Sequence, residues 1–509
     1  MAGTAPKYFR LMIRFSPNPN RANLIRWQEW GDNAFREAQA HDKPVMLFLS
    51  AFWCRYCQRM DEEAFSETEN IALLRAYFVS IRAENGQRPD VDCRYNQNGW
   101  PTIVFMTPRG KPIIVANYLP SDQFEELLLR IYMGHQQSKS AEGLEEKALT
   151  ESVAVEMQAR NQAPPAASNL RRITRIIMEL ADPVNGGYGR SQKFIQAEAN
   201  DFLLSRFRAT KDSSYLDHVC LTLDRMREGA IHDRKGGAYF RTTTGADWSQ
   251  PHREKLLAEQ AGLLRNSLRT FRITQQPVYA EMAEDILAYL NGTLFSPETG
   301  TFCGCEDFLR RSASAGSPSE NFFTILDRCV YTDANAQTIV AYLEAFAVLG
   351  KPIYKERVLT ALEFLWDYCR DAGGGMYHYF DGAPRVHGLL NDQTAMGTAL
   401  LEAYGVTRDA KYLERARELA EFIWVRLKNP GGGYYDISTE GPAYLQLRLT
   451  LIEQNGPAAS FFLALAETTG EPRYREAARW ALSAFAENVS DYGIHAASLG
   501  QALGKYLSC

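Results

Sequence analysis

The 509-residue chain has no apolar run approaching the roughly 20 residues that a membrane-spanning helix needs, so no membrane anchor is expected. Residues 1–23 hold no uninterrupted apolar core, and no signal peptide is expected. Neither sign of charge dominates: 56 Lys and Arg against 61 Asp and Glu leave a formal net charge of −5. A balance this mild gives no reason to expect nucleic acid or an anionic membrane surface as a partner. Cysteine is sparse and odd in number, nine in all, and most stand singly in apolar stretches. That excludes a secreted disulfide framework and points to a reducing cytoplasm. Hydrophobic residues at 45% and charged residues at 23% describe an ordinary globular protein. At roughly 150 residues per domain, the length predicts two to four domains.

Two regions differ in pattern. In residues 1–136, strand and helix signals alternate. Lys43–Ser50 is a short apolar run that predicts a buried strand. Helical stretches follow from about Cys54 and over Glu67–Tyr77, and Phe78–Arg82 predicts a second strand. Thr102–Thr107 and Lys111–Asn117 flank the turn Pro108-Arg109-Gly110 and predict a hairpin, followed by an amphipathic helix from Ser121. Parallel strands first, then a hairpin and a helix, predict a small α/β sandwich. Residues 137–168 are polar and Ala-rich, end in Ala163-Pro164-Pro165-Ala166, and read as a linker that is helical over part of its length.

Residues 169–509 read as all-α. Glycine turns followed by aromatics recur at Gly186-Gly187-Tyr188, Gly236-Gly237-Ala238-Tyr239, Gly300-Thr301-Phe302, Gly374-Gly375-Met376-Tyr377, Gly432-Gly433-Tyr434 and Tyr492-Gly493. Between these turns lie helix signals starting near 169, 198, 212, 253, 277, 333, 354, 391, 409, 454, 472 and 496. Ten of the helices form five hairpins with short links, and the first and last can pair only by closing a ring. Six hairpins closed on themselves make an (α/α)6 toroid. An open solenoid would need polar caps, whereas the terminal helix Ala496–Leu507 is apolar. The short links then share one end and the long glycine-aromatic loops the other, which is where a pocket is expected.

The sharpest motif is Trp53-Cys54-Arg55-Tyr56-Cys57, after a predicted strand and at the start of a predicted helix. Unpaired N–H groups and the dipole at a helix start stabilise a thiolate, and Arg55 adds a cation. Cys54 is the expected nucleophile on a substrate disulfide, and Cys57 the resolving thiol. Gly99-Trp100-Pro101, before the next strand, suits a cis-proline loop facing the cysteines, so that Trp53, Arg55, Tyr56, Trp100 and Pro101 would shape a substrate groove. A zinc site would need two further ligands, and Cys303-Gly304-Cys305 offers them only at poor spacing. No metal and no cofactor are expected.

In the second region the long loops collect polar and aromatic residues. They hold five of the eight histidines, together with Asp247, Trp248, His252, Glu254, Asp307, His378, His387 and Asp392. Rings stack on sugar faces, and imidazoles or carboxylates exchange protons. An epimerase-type reaction needs an acid and a base on opposite faces of a carbon, a role for His252 with His378 or His387. A glycosidase needs two carboxylates, for which Asp307 and Asp392 are the candidates. For each histidine taken alone, a hydrogen-bonded loop or core role is the alternative.

Several stretches together resemble the spermatogenesis-associated protein 20-like family. They are Trp27-Gln28-Glu29-Trp30-Gly31, Asp42-Lys43-Pro44, Cys54–Met60, Arg88-Pro89-Asp90-Val91-Asp92, Gly99-Trp100-Pro101 with Val104–Pro108, Gly186–Phe194, Trp248–Ala261 and Asn391–Tyr404. The resemblance implies a thioredoxin-like domain followed by a toroid similar to N-acylglucosamine 2-epimerases, and it singles out His252 and Glu254, whose Pro-His-x-Glu-Lys segment matches the family. The family usually carries a histidine after each motif cysteine, where this chain has Arg55 and Gln58. Thioredoxins also carry a buried acid six residues before the first cysteine, where this chain has Phe48, so that proton relay is absent. The chain is also shorter than the family between Phe302 and Asp333. Three readings follow: a thiol–disulfide oxidoreductase acting on a disulfide-bearing protein or exchanging with a reductant, a sugar-active enzyme taking a carbohydrate-like molecule in its toroid, and a non-enzymatic interaction protein.

Overall fold

The computed structural model describes residues 13–138, 163–310 and 322–508. The chain forms two compact units, one of Met1–Met157, Leu309–Phe323 and Thr439–Arg448, the other of the remainder. Most of the expected linker at 137–168, and about a third of the shortened stretch between Phe302 and Asp333, lie outside the described residues.

The first unit runs β1 (Trp27–Gln28), α1 (Asp32–Ala40), β2 (Val45–Ser50), α2 (Arg55–Glu62), α3 (Thr68–Tyr77), β3 (Val79–Glu84), α4 (Pro89–Tyr95), β4 (Thr102–Met106), β5 (Pro112–Ala116) and α5 (Ser121–Ser138). The strands form one sheet in the order β1-β3-β2-β4-β5. β3 runs parallel to both β1 and β2, and β4 runs antiparallel to β2 and β5. This is a thioredoxin-like fold. Every residue of β2 is buried because helices cover both faces of the sheet, which is why its sequence is a continuous apolar run rather than an alternating one. Met46 and Phe48 face α2, α3 and α5, while Val45, Leu47 and Leu49 face α1 and α4.

That second face includes a residue from far along the chain. Leu445 is buried in it, Tyr444 stacks on Tyr95 with ring centroids 5.3 Å apart, and the Arg94 guanidinium donates to the Leu447 carbonyl at 2.7 Å. Gly110 makes room for this segment: a Cβ there would lie 2.3 Å from that of Ala443.

The second unit is an (α/α)6 toroid, and the twelve expected helices are its staves: α6 (Ala167–Leu180), α7 (Ala197–Thr210), α8 (Ser213–Glu228), α9 (Leu257–Thr274), α10 (Pro277–Tyr289), α11 (Thr332–Leu349), α12 (Pro352–Cys369), α13 (Leu390–Thr407), α14 (Ala410–Phe422), α15 (Ile452–Thr469), α16 (Pro472–Ser483) and α17 (Ala497–Ser508). The inner ring is α7, α9, α11, α13, α15 and α17. It closes because α17 packs against α7, and α17 also pairs with α6, the helix left over at the other end of the series.

Five links of two residues share one design. The first residue (Lys211, Gln275, Gly350, Arg408, Gly470) is left-handed, with φ between 58° and 72°, and ends the inner helix. The outer helix then begins either with proline (Pro277, Pro352, Pro472) or with an aspartate cap (Asp212, Asp409).

At the opposite end, the glycine-aromatic repeat has a physical explanation. The fourth residue of an inner helix carries a side-chain amide that pairs with both the N–H and the C=O of one loop residue. Gln260 holds Tyr239, Asn335 holds Phe302, Gln393 holds Met376 and Asn455 holds Tyr434, with N···O distances from 2.6 to 3.2 Å. The loop must come close for this to happen. Gly433 has φ 72°, and a Cβ on it would sit 2.9 Å from the Asn455 amide oxygen. Deeper in the ring, Arg269 bridges Asp201 at 2.8 Å and Glu344 at 3.0 Å, tying three inner helices together.

Replacing Asn335 by Leu strands the buried N–H and C=O of Phe302, and we expect a loss of about 2–4 kcal/mol of stability. Urea unfolding checks this, and a loss below about 0.5 kcal/mol would show that the amide pairing contributes little.

Candidate functional site

Cys54 caps α2, and its sulfur accepts the backbone N–H of Cys57 at 3.1 Å. The two cysteines are joined as a disulfide with Cα atoms 5.2 Å apart, and their exposures are 6% and 2%. Trp53 and Trp100 meet edge-to-face at 5.1 Å, and the Trp100–Pro101 peptide bond is cis. The Trp100 indole donates to Asp92 at 2.8 Å. Burial pushes the Asp92 carboxyl up, against the hydrogen bonds from Trp100 and Asn96. Arg55 and Tyr56 are exposed. Tyr56 leans on Tyr118 with ring centroids 5.3 Å apart, Arg59 lies 4.9 Å from the Tyr118 ring, and the Tyr118 hydroxyl donates to Glu63.

Beneath the dithiol lies a pair that the sequence reasoning missed. Asp61, one helical turn beyond Cys57, takes a two-pronged ion pair from Arg82 of β3 at 2.6 and 2.9 Å, and both residues are buried. Asp61 also accepts the Ser16 N–H at 2.8 Å. The Arg82 guanidinium lies 4.8 Å from the ring of Phe48, the residue standing where thioredoxins place an acid. The available signal was an arginine in an otherwise apolar strand, and an acid four residues after the second cysteine. The remaining described thiols are separate. Cys303, Cys305, Cys329 and Cys369 are buried, and burial pushes the Cys303 thiol up to about 11 and that of Cys369 up to about 12.

In the toroid, the long-loop end holds the N-termini of the inner helices. His378 and Asp392 are brought together: both are buried, with Nδ1 to the carboxylate oxygens at 3.0 and 3.2 Å. Burial pushes Asp392 up to about 6, against the pull of His378. Asp333 completes the one group among the described residues whose three donor atoms, lying within 4.8 Å of one another, could hold a cation. His387 turns elsewhere, its Nε2 lying 2.9 Å from the Gly374 carbonyl oxygen and its ring against Phe422. Glu254 is buried and bound to Arg241 at 2.7 Å. His252 is exposed on a short strand. Trp248 is buried, its indole donating to the Asn185 carbonyl, and Asp247 is an exposed turn residue that accepts from Ser249. Asp307 is buried and accepts the Phe308 N–H at 2.8 Å. Lys193 and Lys255, fully buried, pair with Asp182 and Asp233, each at 2.8 Å, and brace two loops.

The fold and the dithiol define a class: a thioredoxin-like domain with a cysteine pair at a helix start, joined to an (α/α)6 toroid. Residues 17–153 match the family described as Thioredox_DsbH, "Protein of unknown function, DUF255". The chain is similar to human spermatogenesis-associated protein 20, at 31% identity over 307 residues that cover 56% of this chain and 39% of that protein. It thus spans about two fifths of the length of that relative. It is also similar to thiol:disulfide interchange protein DsbD of Yersinia pestis, at 35% identity over 85 residues, 16% of this chain and 14% of that protein. Cellobiose 2-epimerase of Spirochaeta thermophila shares the toroid fold, with TM-score 0.54 and 15% identity over 72% of this chain and 99% of that one. Over part of its length the chain is thus similar to spermatogenesis-associated protein 20, with the DUF255 match in its thioredoxin-like domain, and its toroid has the fold of a cellobiose 2-epimerase. Among the described residues no helix is long and apolar enough to cross a membrane.

Asp61→Asn would leave Arg82 buried without its countercharge. We expect a loss of about 3–5 kcal/mol in chemical denaturation, with much of it recovered in the double variant carrying Arg82→Met as well. A loss under about 1 kcal/mol in Asp61→Asn would mean that the pair is not what holds α2 to the sheet.

Proposed function

We propose that this chain is a thiol–disulfide oxidoreductase of a reducing, cytoplasmic setting, with Cys54 as nucleophile and Cys57 as resolving thiol. The observation that carries the reading is the Cys54 sulfur at the start of α2 with the Cys57 N–H aimed at it at 3.1 Å. A helix start favours negative charge on that sulfur. The Cys54 thiolate attacks one sulfur of a substrate disulfide, forming a mixed disulfide and expelling the other sulfur as a thiolate. The Cys57 thiolate then attacks Cys54, the second substrate sulfur leaves as a thiolate that takes up a proton, and the protein is left oxidised as the Cys54–Cys57 disulfide. Two electrons pass to the substrate. Asp61 is engaged by Arg82 and Phe48 is apolar, so neither relays a proton to Cys57. The natural partner would be a disulfide-bearing protein, and Trp53, Arg55, Tyr56, Trp100 and Pro101 would form the groove that receives it.

A second reading is supported by the His378–Asp392 pair: a toroid that works on a carbohydrate. A buried carboxylate on Nδ1 fixes an imidazole ring for proton transfer. On this reading cellobiose or D-mannose incubated with the protein in D2O gains deuterium at carbon 2, and His378→Ala stops it.

For the first reading, glutathione disulfide serves as probe, with alkylation and mass spectrometry as the readout. Cys54→Ser should lose exchange at least a hundredfold while the far-ultraviolet circular dichroism is unchanged, and Cys57→Ser should accumulate the mixed disulfide. Exchange at the wild-type rate in Cys54→Ser would refute the assignment.

A further inference from the structure

Three arginines of the toroid surround a cavity that has no acid in its wall. The cavity, of about 370 Å³, lies between α6, α7 and α8, and is lined by Arg171, Arg175 and Met178 of α6, Arg206 of α7 and Tyr215 of α8. Arg206 is in the last turns of α7 and Tyr215 in the first turn of α8, on either side of the Lys211-Asp212 link. The cavity therefore belongs to the short-link end of the toroid, opposite the loops that carry His378 and Asp392.

These arginines do not balance acids of the fold. Arg171 and Arg206 pair with no acid among the described residues, and Arg175 meets the exposed Glu179 at 3.7 Å. An exposed pair at that distance contributes little. The Arg206 Nε is sealed from solvent with no hydrogen-bond partner. Arg171 and Arg175, four residues apart on one helix, repel each other. A buried donor without an acceptor is also a cost. An anion among the three guanidinium groups removes the repulsion and supplies the acceptor that Arg206 lacks.

The rest of the wall decides what the anion is attached to. Two hydroxyls there are already spent: Thr174 donates to the Leu170 carbonyl at 2.8 Å, and Ser214 to Asp212 at 2.7 Å. Asp212 caps α8 by accepting the Ser214 N–H at 3.1 Å and is not part of the wall. Met178 and the half-buried Tyr215 add apolar surface. A guanidinium fork takes two oxygens of a phosphate at once, and a phosphate monoester has oxygens for more than one fork, whereas a carboxylate has two in all. The volume falls in the range of small-molecule pockets, roughly 300–1,000 Å³.

We propose that this cavity binds a small phosphate-bearing molecule, with the phosphate held by Arg171, Arg175 and Arg206 and the apolar body resting on Met178 and Tyr215. The site stands apart from both readings above, since it uses neither the dithiol nor the long-loop end.

The test is calorimetric titration of the full chain with phenyl phosphate, inorganic phosphate and benzoate. Phenyl phosphate should bind saturably at one site, about tenfold tighter than either inorganic phosphate or benzoate. The double variant Arg171→Gln with Arg175→Gln changes only exposed side chains, and it should lose at least tenfold in affinity. Arg206→Lys keeps the charge without the fork and should lose about tenfold. Arg172→Gln, on the same helix but outside the wall, should bind as the wild type does. No saturable binding of phenyl phosphate up to about 10 mM overturns the proposal, as does wild-type affinity in the double variant. Benzoate or inorganic phosphate binding as tightly as phenyl phosphate also overturns it, and so does an equal loss in Arg172→Gln, which would mean attraction by general surface charge.

Discussion

The toroid is organised by a two-point bond between a side-chain amide and a loop backbone. An isolated helix start leaves its first N–H groups unpaired, and a glycine turn leaves its own backbone groups in the same state. Here the fourth residue of an inner helix reaches back and satisfies both groups of the loop residue that follows the glycines. Four repeats share this bond. It sets the distance between each loop and its inner helix, and with it the position of the first helical turn. Glu259 immediately precedes Gln260, Asp392 immediately precedes Gln393, and Asp333 lies two residues before Asn335. The acids at the long-loop end are thus held by the same bonds that hold the loops.

The first unit works by a different constraint. Its sheet is covered on both sides, so a charged residue on either face needs a partner within the core. Arg82 meets that requirement with Asp61, on the helix that carries the dithiol. One consequence is mechanical, because α2 is anchored to β3 one turn beyond Cys57. The other is electrostatic. The carboxylate nearest Cys57 along the helix is neutralised by a guanidinium and is unavailable for proton traffic.

Periodicity carried the sequence reading far where a pattern repeats, and little where a structure depends on one distant contact. Twelve toroid helices and ring closure were legible from glycine-aromatic turns and an unpaired first and last helix. The cysteine pair at a helix start and the hairpin β4–β5 were legible from local signals. The helix α1 was not, since its buried face is Ala34, Phe35 and Ala38, and alanine carries little hydrophobic contrast. The helix α4 has only seven residues, and β1 only two. Gln260, Asn335, Gln393 and Asn455 are fully buried, yet a sequence reader places amides on the surface. In the candidate site, the pairing of His378 with Asp392 was not foreseen, because the two residues lie in a loop strand and in a helix that only the fold brings together.

Thr439–Arg448 has a consequence for how the protein is made. The ribosome releases the sheet and helices of the first unit long before Leu445 and Tyr444, so that unit waits with an open slot at Tyr95 until most of the toroid has been synthesised. Its completion is coupled to translation of the second unit. Cutting the chain at the obvious boundary would remove a piece of the first unit's core.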